Sequence, residues 1–132
     1  MESVYNYLKN VETYFLATID GNKPKVRPFG TIDLYNGKLY IQTGLKKDVA
    51  KQLLANPNAE ICAFNSKDGT WLRVSGKLIL DDDRQARKHM LDAYPNLRSM
   101  YNEDDGNTAV FYFTEATAIF SSFTASPTII HF

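Results

Sequence analysis

From Ser3 to Val11 the apolar residues Val4, Leu8 and Val11 recur at i, i+4 and i+7, one face of a short helix that Ser3 can cap. The period then changes. Thr13 to Asp20 is rich in β-branched and aromatic residues and predicts a strand, ended by a turn at Asp20-Gly21-Asn22. Lys25 to Tyr35 predicts a second strand, interrupted by Pro28 and Gly30. Proline has no N–H to give a ladder, so this stretch belongs at an edge or bulge, or leaves a site open. Asn36-Gly37 is a strong hairpin signal, and Lys38 to Thr43 is the returning strand. Three hairpin-linked strands would make a meander.

Asp48 to Ala55 carries Val49, Leu53 and Leu54 on one side and lysines on another, a short amphipathic helix ended at Asn56-Pro57. Ala59 to Asn65 and Trp71 to Leu80 predict two strands joined by a turn at Lys67-Asp68-Gly69. Asp81 to Tyr94 predicts a helix whose acids lie at its start, where the dipole favours them, and Pro95 follows. Ala109 to Glu115 and Ala118 to Phe123 are the last predicted strands. Six or seven strands and two or three short helices, with no βαβ alternation, indicate a mainly β, antiparallel sheet. Closing it into a barrel removes exposed edges.

The 132 residues suit one domain spanning 1–132, and 44% hydrophobic residues are enough for an ordinary core. Fifteen basic and fifteen acidic residues cancel, which gives no reason to expect nucleic acid or an acidic membrane surface as partner. No apolar run approaches the roughly 20 residues that cross a bilayer. The opening MESVYNYLKN lacks a basic segment followed by an apolar one, so a cytoplasmic protein is expected. The single cysteine, Cys62, lies in EICAF and is expected to be a buried thiol on a strand. Tyr5, Tyr7, Tyr14 and Phe15 are expected to pack the first helix onto the sheet.

Charge is unevenly spread. Lys23 to Lys51 holds seven bases and two acids, whereas Asp81 to Asp105 holds seven acids and four bases. A locally basic half on a neutral chain suits a small anion better than a long polyanion. Two distant histidines and one cysteine supply no metal site. The sequence contains no P-loop, nucleophile elbow or dinucleotide fingerprint. With no side chain assignable as general acid or base, a cofactor would carry any reaction. His89 reads as a surface histidine without a catalytic role.

The basic half contains a candidate anion cradle. Thr43, Gly44, Lys46 and Lys47 lie where a strand hands over to a helix, so free N–H groups, a dipole, a hydroxyl and two ammonium groups meet there. Arg27, beside Phe29 and Thr31 by alternation, could reach the same anion through the Asn36-Gly37 hairpin. A helix start merely decorated with lysines fits the same pattern. Trp71 and Arg73 share one face of a strand and are residue types favoured over planar ligands and in interfaces, although a half-buried strand with a surface arginine reads the same way.

Three runs, YFLATIDGNKPKVRPFG (14–30), GKLYIQTGLKKDVAKQLLANPNAEICAF (37–64) and TWLRVSGKL (70–78), closely resemble the FMN-binding split-barrel family. That family includes pyridoxamine 5′-phosphate oxidase and the nitroimidazole-resistance (Nim) proteins; the order and spacing of the runs resemble the family's over nearly the full chain, and the short Nim-like subgroup looks nearest. The resemblance implies a six- to seven-stranded antiparallel split β-barrel, a homodimer with two FMN sites at the interface. By the same resemblance Arg27 and Lys47 look like phosphate ligands, with Thr43 as hydroxyl donor and Lys46 as a substitute for Lys47. Val26, Pro28, Phe29 and Gly30 look like the stretch whose backbone lies against the flavin ring. Gln42 looks like a group at the ring's polar edge. Trp71 and Arg73 resemble the segment that a partner subunit lays over the site. The function implied is an FMN-dependent oxidoreductase acting on a small molecule, nitro-compound reduction being one form. The rival readings are a non-catalytic split barrel that stores, senses or carries flavin or haem, and an oligonucleotide-binding barrel, which a basic cluster at one helix start fits less well.

Overall fold

The computed structural model describes residues 1–132. Helix α1 (Glu2–Val11) turns Val4 and Leu8 into the core. Met1 is its N-cap and Ser3 lies inside the helix, so the expected serine cap is not formed; Glu2 in the first turn complements the dipole instead. Strands β1 (Tyr14–Asp20) and β2 (Lys23–Phe29) form one hairpin, in register from Tyr14↔Phe29 to Asp20↔Lys23. Strands β3 (Asp33–Tyr35) and β4 (Lys38–Gly44) form another across Asn36-Gly37, both turn residues taking positive φ. Then follow α2 (Asp48–Ala55), β5 (Asn58–Asn65), β6 (Thr70–Leu80), α3 (Arg84–Ala93), a 3-10 helix (Pro95–Ser99), β7 (Thr108–Ser121) and β8 (Thr128–His131). Asp83 caps α3 by accepting the Gln85 N–H at 2.9 Å, so this helix starts three residues later than its acidic run suggests.

All ladders are antiparallel, in the order β2-β1-β5-β6-β7-β4-β3, with β8 alongside β7. The two ends of this path, β2 and β3, are consecutive in the chain yet share no ladder. The sheet is thus a barrel split at Gly30–Ile32. The expected strand 25–35 is really two, each paired to a different neighbour. The meander is not formed, and β2 does not lie beside β4. Pro24 and Pro28 explain the margin position of β2, since neither can donate to a second ladder.

The two strands expected at 109–115 and 118–123 are a single strand, β7. Glu115 takes φ 50°, and the ladder with β6 slips between Ser75 and Lys77, so the irregularity is a bulge rather than a turn. Gly76 is required there. A Cβ on it would lie 2.9 Å from Ala116 Cα and 3.0 Å from the Thr114 carbonyl oxygen. Past the bulge, β7 gains β8, a strand with no clear sequence signal.

Alternation sorts the two faces. Leu16, Ile61, Leu72, Val74, Ile41 and Phe111 point inward and are buried, joined by Val49 and Leu53 of α2. Each such aliphatic side chain contributes about 1.5–3 kcal/mol through burial. The outward row Phe15, Cys62, Arg73, Ile119, Ile129 runs through successive partners on β1, β5, β6, β7 and β8. Cys62 is therefore exposed, contrary to expectation, because Ile61 and Ala63 hold the inward positions. Phe15 likewise does not pack under α1: it is 51% exposed, and Phe64 at 55% and Ile129 at 56% are exposed on the same outer face. Tyr14 is fully buried, and Tyr7 packs edge-on against Phe120 at 5.8 Å between ring centroids. No helix is long and apolar enough to cross a membrane.

Candidate functional site

The end of β2, the 30–32 crossing and the end of β4 meet the start of α2 and the 3-10 helix around a groove of about 350 Å³. This volume lies in the range of small-molecule sites. Arg27, Pro28, Phe29, Gly30 and Thr31 form one wall, and Gln42, Thr43, Lys47 and Val49 form another. Leu97, Met100 and Tyr101 complete it. A more open cleft, lined by Lys25, Val26, Arg27, Lys46, Lys47, Asp48 and Gln52, adjoins it through Arg27, Lys47 and Val49.

Strand β2 delivers Arg27 to the groove from the opposite end of the sheet path, by the crossing at 30–32 and not by hairpin pairing. Two tyrosines fix that crossing. The Tyr14 hydroxyl donates to the Thr31 carbonyl at 2.6 Å. The Tyr94 hydroxyl accepts from the Ile32 N–H and donates to its carbonyl, both at 3.1 Å. Thr31 Oγ1 in turn accepts the Gln42 N–H at 3.1 Å, joining the crossing to β4. Burial raises the Tyr14 hydroxyl well above its ordinary value, and Tyr94 nearby adds to the effect.

The cations of this corner are unpaired. Elsewhere Lys38, Arg73, Lys77, Arg84, Arg87, Lys88 and Arg98 each have a carboxylate within 4 Å. Arg27, Lys46 and Lys47 have none, as is also true of Lys9, Lys23, Lys25, Lys51 and Lys67, but only here do unpaired cations meet an uncapped helix start. The Arg27 guanidinium is held instead by neutral acceptors: Leu16 O at 3.2 Å, Thr18 Oγ1 at 2.7 Å and Gln52 Oε1 at 2.6 Å. Burial pulls it below its ordinary value, and Asp48 offsets part of that. Helix α2 has Lys47 as N-cap and no side-chain cap. The N–H groups of Asp48 and Val49 find no acceptor in the protein, while Lys47 N–H bonds Gly44 O at 3.0 Å. Positive charge, a helix dipole and free donors thus converge on a place able to hold an anion. The Thr43 hydroxyl has no protein partner, and the Gln42 side chain, nearly buried, donates to Thr43 O at 3.0 Å.

Most of the predicted residues come together. Arg27, Pro28, Phe29, Gly30, Gln42, Thr43 and Lys47 all line the groove. Val26 and Lys46 line only the adjoining cleft, Val26 with its side chain largely exposed. Trp71 and Arg73 lie away from the groove on the outer face. Arg73 there bonds Glu60 at 2.7 Å and Trp71 packs on Phe123 at 5.0 Å between ring centroids. The wall formed by Leu97, Met100 and Tyr101 was not foreseen. Their i, i+3, i+4 spacing is a one-turn apolar stripe, the signal that Pro95 obscured. Tyr101 lies against Gly44, where an added Cβ would be 3.2 Å from the ring.

A second cleft, of about 530 Å³, is lined by Asp81, Asp82, Glu103, Asp104 and Arg87. Its carboxylates are engaged with Lys38, Arg84, Arg87 and Arg98. No group of three or more His, Cys, Asp or Glu is placed to hold a metal ion. His89 is half exposed and bonds the buried Asp33 at 2.6 Å, with its ring 4.5 Å from that of Tyr35; it does not line the groove.

A family model described as pyridoxamine 5′-phosphate oxidase matches residues 2–122. Comparison with curated proteins gives no match. Among solved structures, a NimC/NimA family protein from Clostridium acetobutylicum superposes with a TM-score of 0.96 at 39% identity, over 100% of this chain and 92% of that one. General Stress Protein 26 from Bacillus anthracis gives 0.77 at 15% identity, over 99% and 98%. A pyridoxamine 5′-phosphate oxidase-related, FMN binding protein from Nostoc punctiforme gives 0.65 at 14%, over 99% and 94%. The last two show a shared fold. The family match and the 39% identical structure show more: this chain is a member of the pyridoxamine 5′-phosphate oxidase family, similar over its whole length to a NimC/NimA protein.

Proposed function

We propose that the groove binds FMN and that the protein is a cytoplasmic flavin oxidoreductase acting on a small molecule. The observation that carries this reading is the convergence of Arg27 and Lys47, unpaired, on the uncapped start of α2. A phosphate there would meet two cations and the free N–H groups of Asp48 and Val49. The Thr43 hydroxyl is free to donate to it as well. Lys47 borders both groove and cleft, which favours it over Lys46 as the phosphate ligand. The edge from Pro28 to Gly30 is suited to lie along a planar ring, with Gln42 at a polar margin. Bound FMN would supply hydride or electron transfer. The protein's own part is to hold the phosphate, orient the ring and exclude water from one face.

The proposal includes a homodimer. The outer face carries Phe15, Phe64 and Ile129, each more than half exposed, along one sheet. An apolar face of this kind suits a second copy. Trp71 and Arg73 are on this face and would reach the partner's groove. Neither histidine lines the groove, so a haem reading gains no axial histidine.

An absorption spectrum of the purified protein, with FMN titration, tests the reading. Flavin bands and saturable binding support it. Arg27→Ala combined with Lys47→Ala is expected to abolish retention while circular dichroism stays unchanged. A double variant that keeps FMN at unchanged affinity sinks the phosphate assignment.

A further inference from the structure

Gln52 lies on α2 one turn after Asp48 and lines the open cleft that adjoins the groove at Arg27 and Lys47. Its Oε1 accepts two short hydrogen bonds, from Arg27 Nη2 and from the Thr18 hydroxyl, both at 2.6 Å. The same Thr18 oxygen accepts from Arg27 Nη1 at 2.7 Å. Two donors facing one oxygen fix the amide's orientation, since an –NH₂ turned toward them would be repelled. Thr18 is 2% exposed, so these contacts lock the guanidinium against the sheet.

Every acceptor in this cluster is neutral. A carboxylate at position 52 could hold the guanidinium as firmly, but it would also neutralise it. Asp48 is the nearby acid on the helix, and it forms no ion pair with Arg27 within 4 Å. Arg27 is thus aimed by hydrogen bonds to neutral groups, with no carboxylate in contact and Asp48 acting on it only at longer range. An incoming anion gains most from a cation that is already oriented and not already paired.

We propose that Gln52 is a positioning residue: by holding Arg27 through a neutral amide, it sets the groove's preference for a phosphate-bearing flavin over the same flavin without phosphate. This rests on the flavin reading above. Gln52 itself need not touch the ligand.

The test is fluorescence titration of the whole protein with FMN and with riboflavin, for wild type, Gln52→Glu and Gln52→Leu. Gln52→Glu is expected to weaken FMN about tenfold or more and to leave riboflavin within about twofold, since only the phosphate senses the lost charge. Gln52→Leu, which loosens the guanidinium without neutralising it, is expected to fall between. A Gln52→Glu protein with the wild-type ratio of FMN to riboflavin affinity overturns the proposal. Should Gln52→Glu fail to fold, equal losses of both ligands in Gln52→Leu overturn it instead. Wild type that binds riboflavin as tightly as FMN overturns the phosphate reading itself, whatever the variants do.

Discussion

The side-chain oxygen of Asn107 accepts the Lys46 N–H at 3.0 Å, and its main-chain carbonyl accepts the Leu45 N–H at 2.7 Å. One residue from the loop before β7 thereby braces the turn that presents Lys46 and Lys47. Asp105 holds the brace from behind. Its carboxylate accepts the N–H groups of Asn102, Asn107 and Thr108 and the Thr108 hydroxyl. The acidic stretch of the sequence and its basic stretch are mechanically joined at this point.

Asn107→Ala removes the acceptor for Lys46. Losing one such hydrogen bond costs about 1 kcal/mol. The expected result is an FMN affinity lowered about fivefold, with Tm reduced by roughly 4 °C. Titration and thermal melting measure both. Affinity equal to wild type would separate the loop from the groove.

Acid should loosen this brace. Burial works against the charged form of Asp105, but its backbone and hydroxyl donors win and hold it down to about 2, against 3.8 for the free group. A carboxyl depressed on folding stabilises the native state above the unfolded value, and the contribution fades as pH falls through the folded one. Asp104, beside Arg84, and Glu103, beside Arg98, are depressed in the same direction. Tm is therefore expected to fall between about pH 4 and pH 2. Asp105→Asn should lower Tm at pH 7 and flatten that acid limb. An acid limb identical to wild type in Asp105→Asn would contradict the assignment.

Gly76→Ala meets backbone rather than a flexible side chain, at 2.9 Å from Ala116 Cα. Overpacking of this kind costs about 1–3 kcal/mol. Urea denaturation should show a lower midpoint with an unchanged slope. A neutral result would mean that the β6–β7 bulge yields easily.

The outer face gives a prediction about assembly. Light scattering is expected to report about 30 kDa, twice the 15.0 kDa of one chain. Phe64→Asp places a charge among exposed apolar groups and should shift the protein toward monomer with little change in monomer fold. A variant that stays fully dimeric would show that another surface is used.

The strands, the short helices and most of the groove could be read from the sequence, because hydrophobic period and turn chemistry are local. Thr43 and Lys47 meet at the groove because the strand-to-helix junction that places them is a local signal, whereas Arg27 arrives there by the crossing and not by the hairpin pairing expected of it. Long-range arrangement was not recognisable in the same way. Nothing local says that β2 pairs only with β1, or that β7 runs through Glu115 without turning. The inward or outward sense of Cys62 depends on one residue of register. The wall of Leu97, Met100 and Tyr101 was missed because proline suggested an end, whereas a 3-10 helix accepts it in its first turn.

The crossing at Gly30–Ile32 has a mechanical consequence. Where a ladder joins two strands, their spacing is fixed near 4.8 Å by hydrogen bonds. No ladder joins β2 to β3. Across that seam the gauge is set by the hydroxyls of Tyr14 and Tyr94, which clip the chain at Thr31 and Ile32. Here the spacing rests on side-chain hydroxyls, those of the two tyrosines and of Thr31 to the Gln42 N–H, and not on a run of main-chain hydrogen bonds. The groove thus has one margin tied by side chains alone, so single substitutions at Tyr14, Thr31 or Tyr94 would reset its width while leaving every ladder intact.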